Sequence, residues 1–600
     1  SITLQGGSGY AFTIANVNAS VAGTDYDQLA TAGALTLSNT AANPFTIYIS
    51  GTPTGWSNTG TYSWDIISAG SITGFNSANF TWNFDNFGIA SGNRTGTWDI
   101  LNTGGLVQLT YAAATPDHFW SGGSGNWTTG FTPSKPTTDK NLFFIGGVGG
   151  TATNNIASGT LSSLNFITFN STAGSYTLAA NAGSAGASGG TALTVKGDIT
   201  NYSANAQTIN LGLALLSSST GIVNTASGNI TIGGVVSGAG ALTKQGASTL
   251  ILSANNTYSG ATIISGGTLQ IGAGGTSGAL NANSTITNNG MLAFNRSNTV
   301  TQGTDFAGVV SGSGNITQAG SGNLLLTGNN TYTGTTTISA GTLEVGSAAR
   351  LGGGAYAGNI SNNGTLIYSG SNAQTLSGVI SGTGALTQNN SSSTLTLSGN
   401  NTYTGATTIS AGTLLISSAG RLGGGNYTGN ISNTGTFLYN GTNSQTLSGI
   451  LSGAGALTKN NSSTLTLTAN NSYTGAITIN AGTLEVGGSG LLGGGSYSGS
   501  IALNGANSTF LSNSTSAQTL SGTKSGNGSI TKSGSGNLTI SGGASSFTGV
   551  TTVNSGTLNI SGGSVLSGGS LVINSGATVF GTGGHNFDSG ITSITINGGT

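Results

Sequence analysis

Glu344 and Glu485 occupy the same position of a recurring phrase, TLEVG, and paired carboxylates are the groups with which glycan-cleaving enzymes donate and withdraw protons. Asp305 is the only other acid between Asn201 and His585. The two glutamates lie two repeat units apart, so at three coils per unit and ~4.8 Å per coil they would be on the order of 29 Å apart, beyond any dyad. The same column holds Gln270, Leu415 and Asn559 in other units, as a solvent-facing position would. The only histidines are His118, beside Asp117, and His585, near Asp588. A Ser-His-Asp set would need one of them, yet no G-x-S-x-G phrase stands close to His585. His118 therefore reads as a connector residue packing near Trp120, and His585 as part of a surface loop. Asp25 and Asp27, two apart in TDYDQ, could face one metal ion, but the G-G-x-G-x-D pattern of repeat-borne calcium sites is absent and they read as turn formers. The GGVGG run from Gly146 is followed by no Lys-Ser/Thr, which a phosphate loop requires. No catalytic, cofactor or metal site is assigned, and the chain reads as a non-enzyme without cofactors.

The elements that would carry any site are strands. Glycine supplies 108 of 600 residues and charged side chains only 4%, against about a quarter in ordinary domains. A hydrophobic content of 35% with so little charge does not fit a disordered chain. A length well past ~300 residues calls for several domains or one elongated one. The net charge is −1 and the 11 basic residues are scattered, so no face can neutralise a run of phosphates, which argues against nucleic acid. Near-neutrality leaves little colloidal repulsion and favours self-association. There is no cysteine and no apolar run of 18 or more residues, hence no disulfide and no helical membrane span. The chain opens at Ser1 without a signal peptide and stops at Thr600 within a strand pattern, and so reads as a processed or internal piece.

All six tryptophans precede residue 130 and all five prolines precede residue 137, which marks a boundary. Residues 1–114 alternate apolar and polar side chains in short runs such as PFTIYIS and FTWNFDNF, predicting a β-sandwich-like, aromatic-rich domain. Its tryptophans could stack on sugars, although core packing accounts for most of them. Residues 115–140 concentrate proline and glycine and read as a connector. Residues 141–600 repeat, most clearly from 235 onward.

The aromatic of the phrase NNTYTGATTISAGTL falls at Tyr258, Tyr332, Tyr403, Tyr473 and Phe547, with spacings of 74, 71, 70 and 74. Two more phrases keep the same step, one typified by SGTGALTQ from Ser381 and one by RLGGGNYTGNIS from Arg421. Three phrases per unit suggest three coils of three short strands, and stacked coils make a parallel β-helix. About 20 coils would span roughly 95 Å. In STLTLSG from Ser393, Leu395 and Leu397 share one face and the threonines the other. Glycines supply the positive φ of the corners. The tyrosine shares parity with Ile409 and packs inward, while the paired asparagines, such as Asn400 and Asn401, form turns whose amides bond nearby backbone. Hydroxyls and amides are expected to face water. The T-x-T of Thr394 and Thr464 becomes TLI from Thr249 and NLL from Asn323, so no continuous ice-binding face forms.

At NNTYTGATTISAGTLLIS, and at GALTKNNSSTLTLTANNSYTGAITINAGTLEVG from Gly455, the chain resembles the autotransporter-associated β-strand repeat family of bacterial secreted proteins. The likeness runs from about Trp120 to Thr600, and WSGGSGNW from Trp120 is similar to segments that introduce such arrays. It implies a right-handed β-helical passenger on the surface of a Gram-negative cell or in released fibres. No amphipathic barrel strands follow the repeats in this sequence, so a fused translocator is not expected within it. The reading is an all-β chain, a right-handed parallel β-helix preceded by a β-sandwich-like domain, forming a self-associating extracellular stalk, fibre or layer. The alternatives are a carbohydrate-binding adhesin using its aromatic N-terminal domain and, third, a polysaccharide-active enzyme.

Overall fold

The computed structural model describes residues 2–5, 9–13, 27–40, 42–53, 62–85, 97–103, 106–112 and 118–600, the last without 188–189, 218–219, 283, 307, 543–544, 562–565, 567, 583–590 and 599. Strands dominate throughout. The N-terminal part contains β1 (Ile2–Gln5), β2 (Gly9–Thr13), β3 (Leu29–Ser38), β4 (Phe45–Ser50), β5 (Tyr62–Thr73), β6 (Phe80–Asn83), β7 (Thr97–Thr103) and β8 (Leu106–Ala112). They make two sheets, β1-β3-β5-β8-β7 and β2-β4-β6, which share a core of Leu35, Ile47, Trp64, Ile67, Leu109 and Tyr111 among others. Two layers are what a sandwich requires, but the route between them differs from the usual antiparallel one. From β1 to β6 the chain visits the sheets in alternation and every pairing is parallel. This domain is a two-sided coil, closed by the antiparallel hairpin of β7 and β8.

The solenoid begins at about residue 118 and winds about 20 turns. The stretch expected to be a connector supplies its first coil: Leu142, Phe143 and Phe144 pair in parallel with His118, Phe119 and Trp120. Each coil presents three short strands whose alternate residues point in and out; Thr394–Leu397, for example, is half-buried, buried, half-buried, buried. The inward residues of all coils merge into one core. Within the repeats coil length varies between Thr249↔Thr268 and Gly482↔Ser508, offsets of 19 and 26 residues.

The register overturns the expectation of three coils per unit. Asn315, which opens the phrase NITQ, lies over Met291, Thr268 and Thr249. Three coils beneath it is therefore the strand after Ala241, and Ala241 is the residue that opens the same phrase one repeat earlier. The pattern holds in every later unit: Ala385 stands over Thr365, Thr342 and Asn323, Ala456 over Thr436, Thr413 and Thr394, and Ser529 over Thr509, Thr483 and Thr464. Each unit is three coils plus one strand, ten strands rather than nine. Successive copies of a phrase consequently fall on successive faces, about a third of a turn apart and ~16 Å along the axis.

Glycine permits the close stacking. At RLGGG corners three consecutive residues hold positive φ, as in Gly423, Gly424 and Gly425 at 57°, 65° and 111°, a sequence of angles open only to glycine. Elsewhere glycines stand in columns. A Cβ on Gly378 would meet the Gly358 carbonyl oxygen at 2.3 Å, one on Gly358 the Gly334 oxygen at 2.3 Å, and one on Gly334 the Gly314 oxygen at 2.2 Å. Two alanine substitutions separate the two requirements. Gly424 has open space around it, so Gly424→Ala should lose about 1–2 kcal/mol from the left-handed backbone alone. Gly378→Ala must push two coils apart, and its midpoint in urea denaturation should fall clearly further.

Candidate functional site

The acids named by the sequence do not converge. Glu344 accepts hydrogen bonds from the Asn323 amide at 3.2 Å and the Ser369 hydroxyl at 2.6 Å. Glu485 accepts from Asn513 at 2.8 Å and Thr466 at 3.2 Å. The two belong to different ladders, that of Asn323, Thr342 and Thr365 and that of Thr464, Thr483 and Thr509. They are thus further apart than equal stacking would put them. Asp305 pairs with the buried Arg296 at 3.0 Å and accepts the Thr301 N–H. Among the described residues no three of His, Asp and Glu gather as metal ligands would. His118 is buried on the first-coil strand, its Nδ1 2.8 Å from the Ser134 carbonyl and its ring edge-on to Phe131; burial lowers its pKa against the pull of that carbonyl. Asp25, Asp117, His585 and Asp588 lie outside the described residues.

The described tryptophans and the aromatic of each repeat also turn inward. Trp64 is buried and stacks with Trp98 at 5.9 Å, and Trp82 packs against the same core. Trp120 and Trp127 are buried in the first coil, their indole N–H groups donating to the Gly122 and Ala152 carbonyls. Trp56 lies outside the described residues. Tyr258, Tyr332, Tyr403, Tyr473 and Phe547 are fully buried, as the strand parity predicts. Tyr403 shares the Thr407 hydroxyl with Tyr427 of the next coil, at 2.7 Å on each side.

What the sequence reading missed is a set of polar groups sealed inside the tube. The final residue of the ALTK phrase is Lys244, Gln318, Gln388, Lys459 and Lys532 in successive units, and all five are buried. Lys459 Nζ donates to the carbonyls of Asn460, Asn461 and Ala481 at 2.6, 2.7 and 3.3 Å. Lys244 binds Gln245, Gly246 and Gly266 in the same way. Gln318 donates to Gly320 and Gly322. The residue is a plug: its head group donates to corner carbonyls inside the tube, of which those of Gln245 and Gly322 also accept from the Thr225 and Thr342 N–H groups, and a carbonyl left there without any donor would carry a desolvation penalty. Hydroxyls and amides were expected to face water, but the second asparagine of each pair is internal. Asn401 accepts from the Ile380 N–H at 2.9 Å and donates to the Gly399 and Arg421 carbonyls, thereby spanning three coils. Asn471 repeats this with Leu451, Ala469 and Leu491. In the fifth unit Ser545 stands in this place and donates instead to the Lys524 carbonyl. Recurrence of one polar letter at the end of an apolar strand was the available signal.

Five stretches match the passenger-associated-transport-repeat family: 242–271, 316–345, 381–416, 457–486 and 530–560. Each contains one plug residue, one Asn or Ser clamp and one buried aromatic. The chain carries passenger-associated-transport repeats. It is also 38% identical over 91 residues to an adhesin autotransporter, BmaC, of Brucella suis biovar 1 (strain 1330). That match covers 15% of this chain and 2% of the relative's length. No solved structure matches. In these five stretches the β-solenoid is similar to autotransporter passenger repeats, and each stretch buries its plug residue and its aromatic.

Two outcomes follow from the plugs. Lys459→Gln should leave stability nearly unchanged, because Gln serves at 318 and 388, whereas Lys459→Met should lose about 1–3 kcal/mol by stranding corner carbonyls. The second concerns pH. Burial lowers the pKa of Lys244, Lys459 and Lys524 to about 8, below the unfolded value near ~10.4. Between those values the unfolded chain binds more protons, so stability rises with pH. Buried tyrosines such as Tyr332 and Tyr403 are shifted upward by burial, and above ~10 the unfolded chain holds fewer protons than the folded one, so stability falls. Denaturation midpoints should climb from pH 8 to about 10 and then drop. The climb should shrink in a Lys244→Gln/Lys459→Gln variant.

Proposed function

We propose that this chain is the shaft of a secreted or cell-surface protein of a Gram-negative bacterium, with a mechanical rather than catalytic role. The observation that carries the reading is the continuity of the solenoid: about 20 turns, in whose repeats the buried lysine, glutamine and asparagine side chains are spent on joining one coil to the next. Among the described residues of the solenoid, Glu344 and Glu485 are held by amides and hydroxyls and Asp139 and Asp305 are each paired with a cation, an arrangement with no acid and base facing one substrate. The passenger repeats and the adhesin name of the Brucella relative support export and surface display. Near-neutral charge supports assembly of shafts into a fibre or layer.

A second reading, an adhesin, is favoured by that relative's name. Recognition by tryptophan stacking is not the route it would take, since the described tryptophans line cores; Tyr48, 46% exposed on β4, is the aromatic best placed to meet a ligand in the N-terminal domain.

Electron micrographs of the intact chain should show unbranched rods with a solenoid of roughly 95 Å, singly or joined end to end. Compact globules would contradict the shaft.

A further inference from the structure

The three RLGGG-type corners form a natural substitution series. Arg350, Arg421 and Leu491 hold the same position, each partly exposed. Each forms the same isolated bridge to the first asparagine of its pair: Asn329 with Arg350, Asn400 with Arg421 and Asn470 with Leu491. The glycines that follow keep one conformation whichever residue precedes them, with φ of 55°, 66° and 106° after Arg350 and 57°, 63° and 99° after Leu491. The corner therefore does not need a guanidinium.

The guanidinium groups nonetheless have no acceptor of their own. Among the described basic residues from 141 onward, Lys196 and Arg296 pair with acids and Lys244, Lys459, Lys524 and Lys532 are held by backbone carbonyls. Arg350 and Arg421 make neither kind of contact, and Nε of each is buried without a partner. Each stem lies along its glycine loop; a Cβ on Gly354 would touch Arg350 Cδ at 3.2 Å and one on Gly425 would touch Arg421 Cδ at 3.5 Å. The neighbouring coil contributes hydroxyls and a carboxamide. The Ser371 hydroxyl and the Asn372 amide bond the 347–348 turn, and Thr442 and Asn443 do the same at 418–419.

We propose that Arg350 and Arg421 are two equivalent sites for the carboxylate or sulfate of an acidic glycan. The guanidinium fork can meet two oxygens of a planar carboxylate, or two of a tetrahedral sulfate, in two hydrogen bonds, and the flanking hydroxyls and amides suit sugar hydroxyls. Two lone cations ~16 Å apart on adjacent faces are poorly arranged for a duplex, whose phosphates are far more densely spaced. Because each repeat rotates the phrase to a new face, the shaft would hold two glycan strands rather than grip one twice. This inference does not depend on the shaft reading, since the sites lie on the solenoid whatever its role.

The test uses the intact chain and an Arg350→Leu/Arg421→Leu variant, which copies the residue at 491 and should keep the wild-type circular dichroism and melting profile. Affinity electrophoresis at low salt would be run through polygalacturonate, dextran sulfate and neutral dextran. The wild type should be retarded by one or both acidic polymers and not by dextran, polygalacturonate identifying a uronate site and dextran sulfate a sulfate site. The double variant should bind at least tenfold more weakly, with each single variant between. Equal retardation of wild type and double variant, equal retention by neutral dextran, or equally strong retention by duplex DNA would overturn the proposal.

Discussion

Between coils stacked at ~4.8 Å an unpaired polar group is costly, and most of the molecule answers to that constraint. Strand backbones satisfy one another through the parallel ladders, but the corners do so only in part: the Thr342 and Thr404 N–H groups reach the Gly322 and Gly382 carbonyls, while other carbonyls, such as those of Asn461 and Ala481, are met by a side chain. The solution is chemical and recurs with the repeat. A lysine or glutamine at the end of one strand, an asparagine at the start of the next corner and a glutamine such as Gln445, which exchanges hydrogen bonds with the Leu422 backbone, each enter the tube and close the account of donors and acceptors. Glycine columns do the complementary work by letting carbonyls of adjacent coils approach where any side chain would collide.

The same constraint explains why the repeat is so well kept and yet produces no active centre. The buried polar positions that recur between units, such as Lys459 and Asn471, are consumed internally by backbone, so what remains outside is a coat of threonine, serine and asparagine with widely separated charges. The extra strand per unit then spreads the copies around the rod. A feature repeated in sequence becomes a feature repeated in direction, displayed on three faces in turn, and a rod built this way presents much the same surface to all sides.

Much of this was legible in the sequence. The 70- to 74-residue step, the alternation in STLTLSG and the parity of Tyr403 with Ile409 led directly to a parallel solenoid with a leucine and tyrosine core. Three things were not. Counting phrases gave nine strands where there are ten, because coil lengths vary and residue spacing alone does not reveal how many strands fill it; only the register of Asn315 over Thr249 does. The burial of Lys244 and Lys459 could not be read, since a cation bound solely by carbonyls leaves no acidic partner in the sequence to betray it. Segment 1–114 showed its strands and aromatic core but not its winding, for alternation is the same whether strands pair in parallel or antiparallel. For the candidate site, dispersal of the acids could be read, whereas the free state of Arg350 and Arg421 required seeing the other described cations from 141 onward occupied.

The register of the stacked coils can be tested without imaging, because the chain has no native cysteine. Thr387 and Thr408 are register partners on adjacent coils, while Thr387 and Thr458 occupy the same phrase position one repeat apart. Pyrene attached to cysteines at 387 and 408 should give strong excimer emission, and pyrene at 387 and 458 should emit as monomer. Excimer from the second pair, or none from the first, would contradict the account.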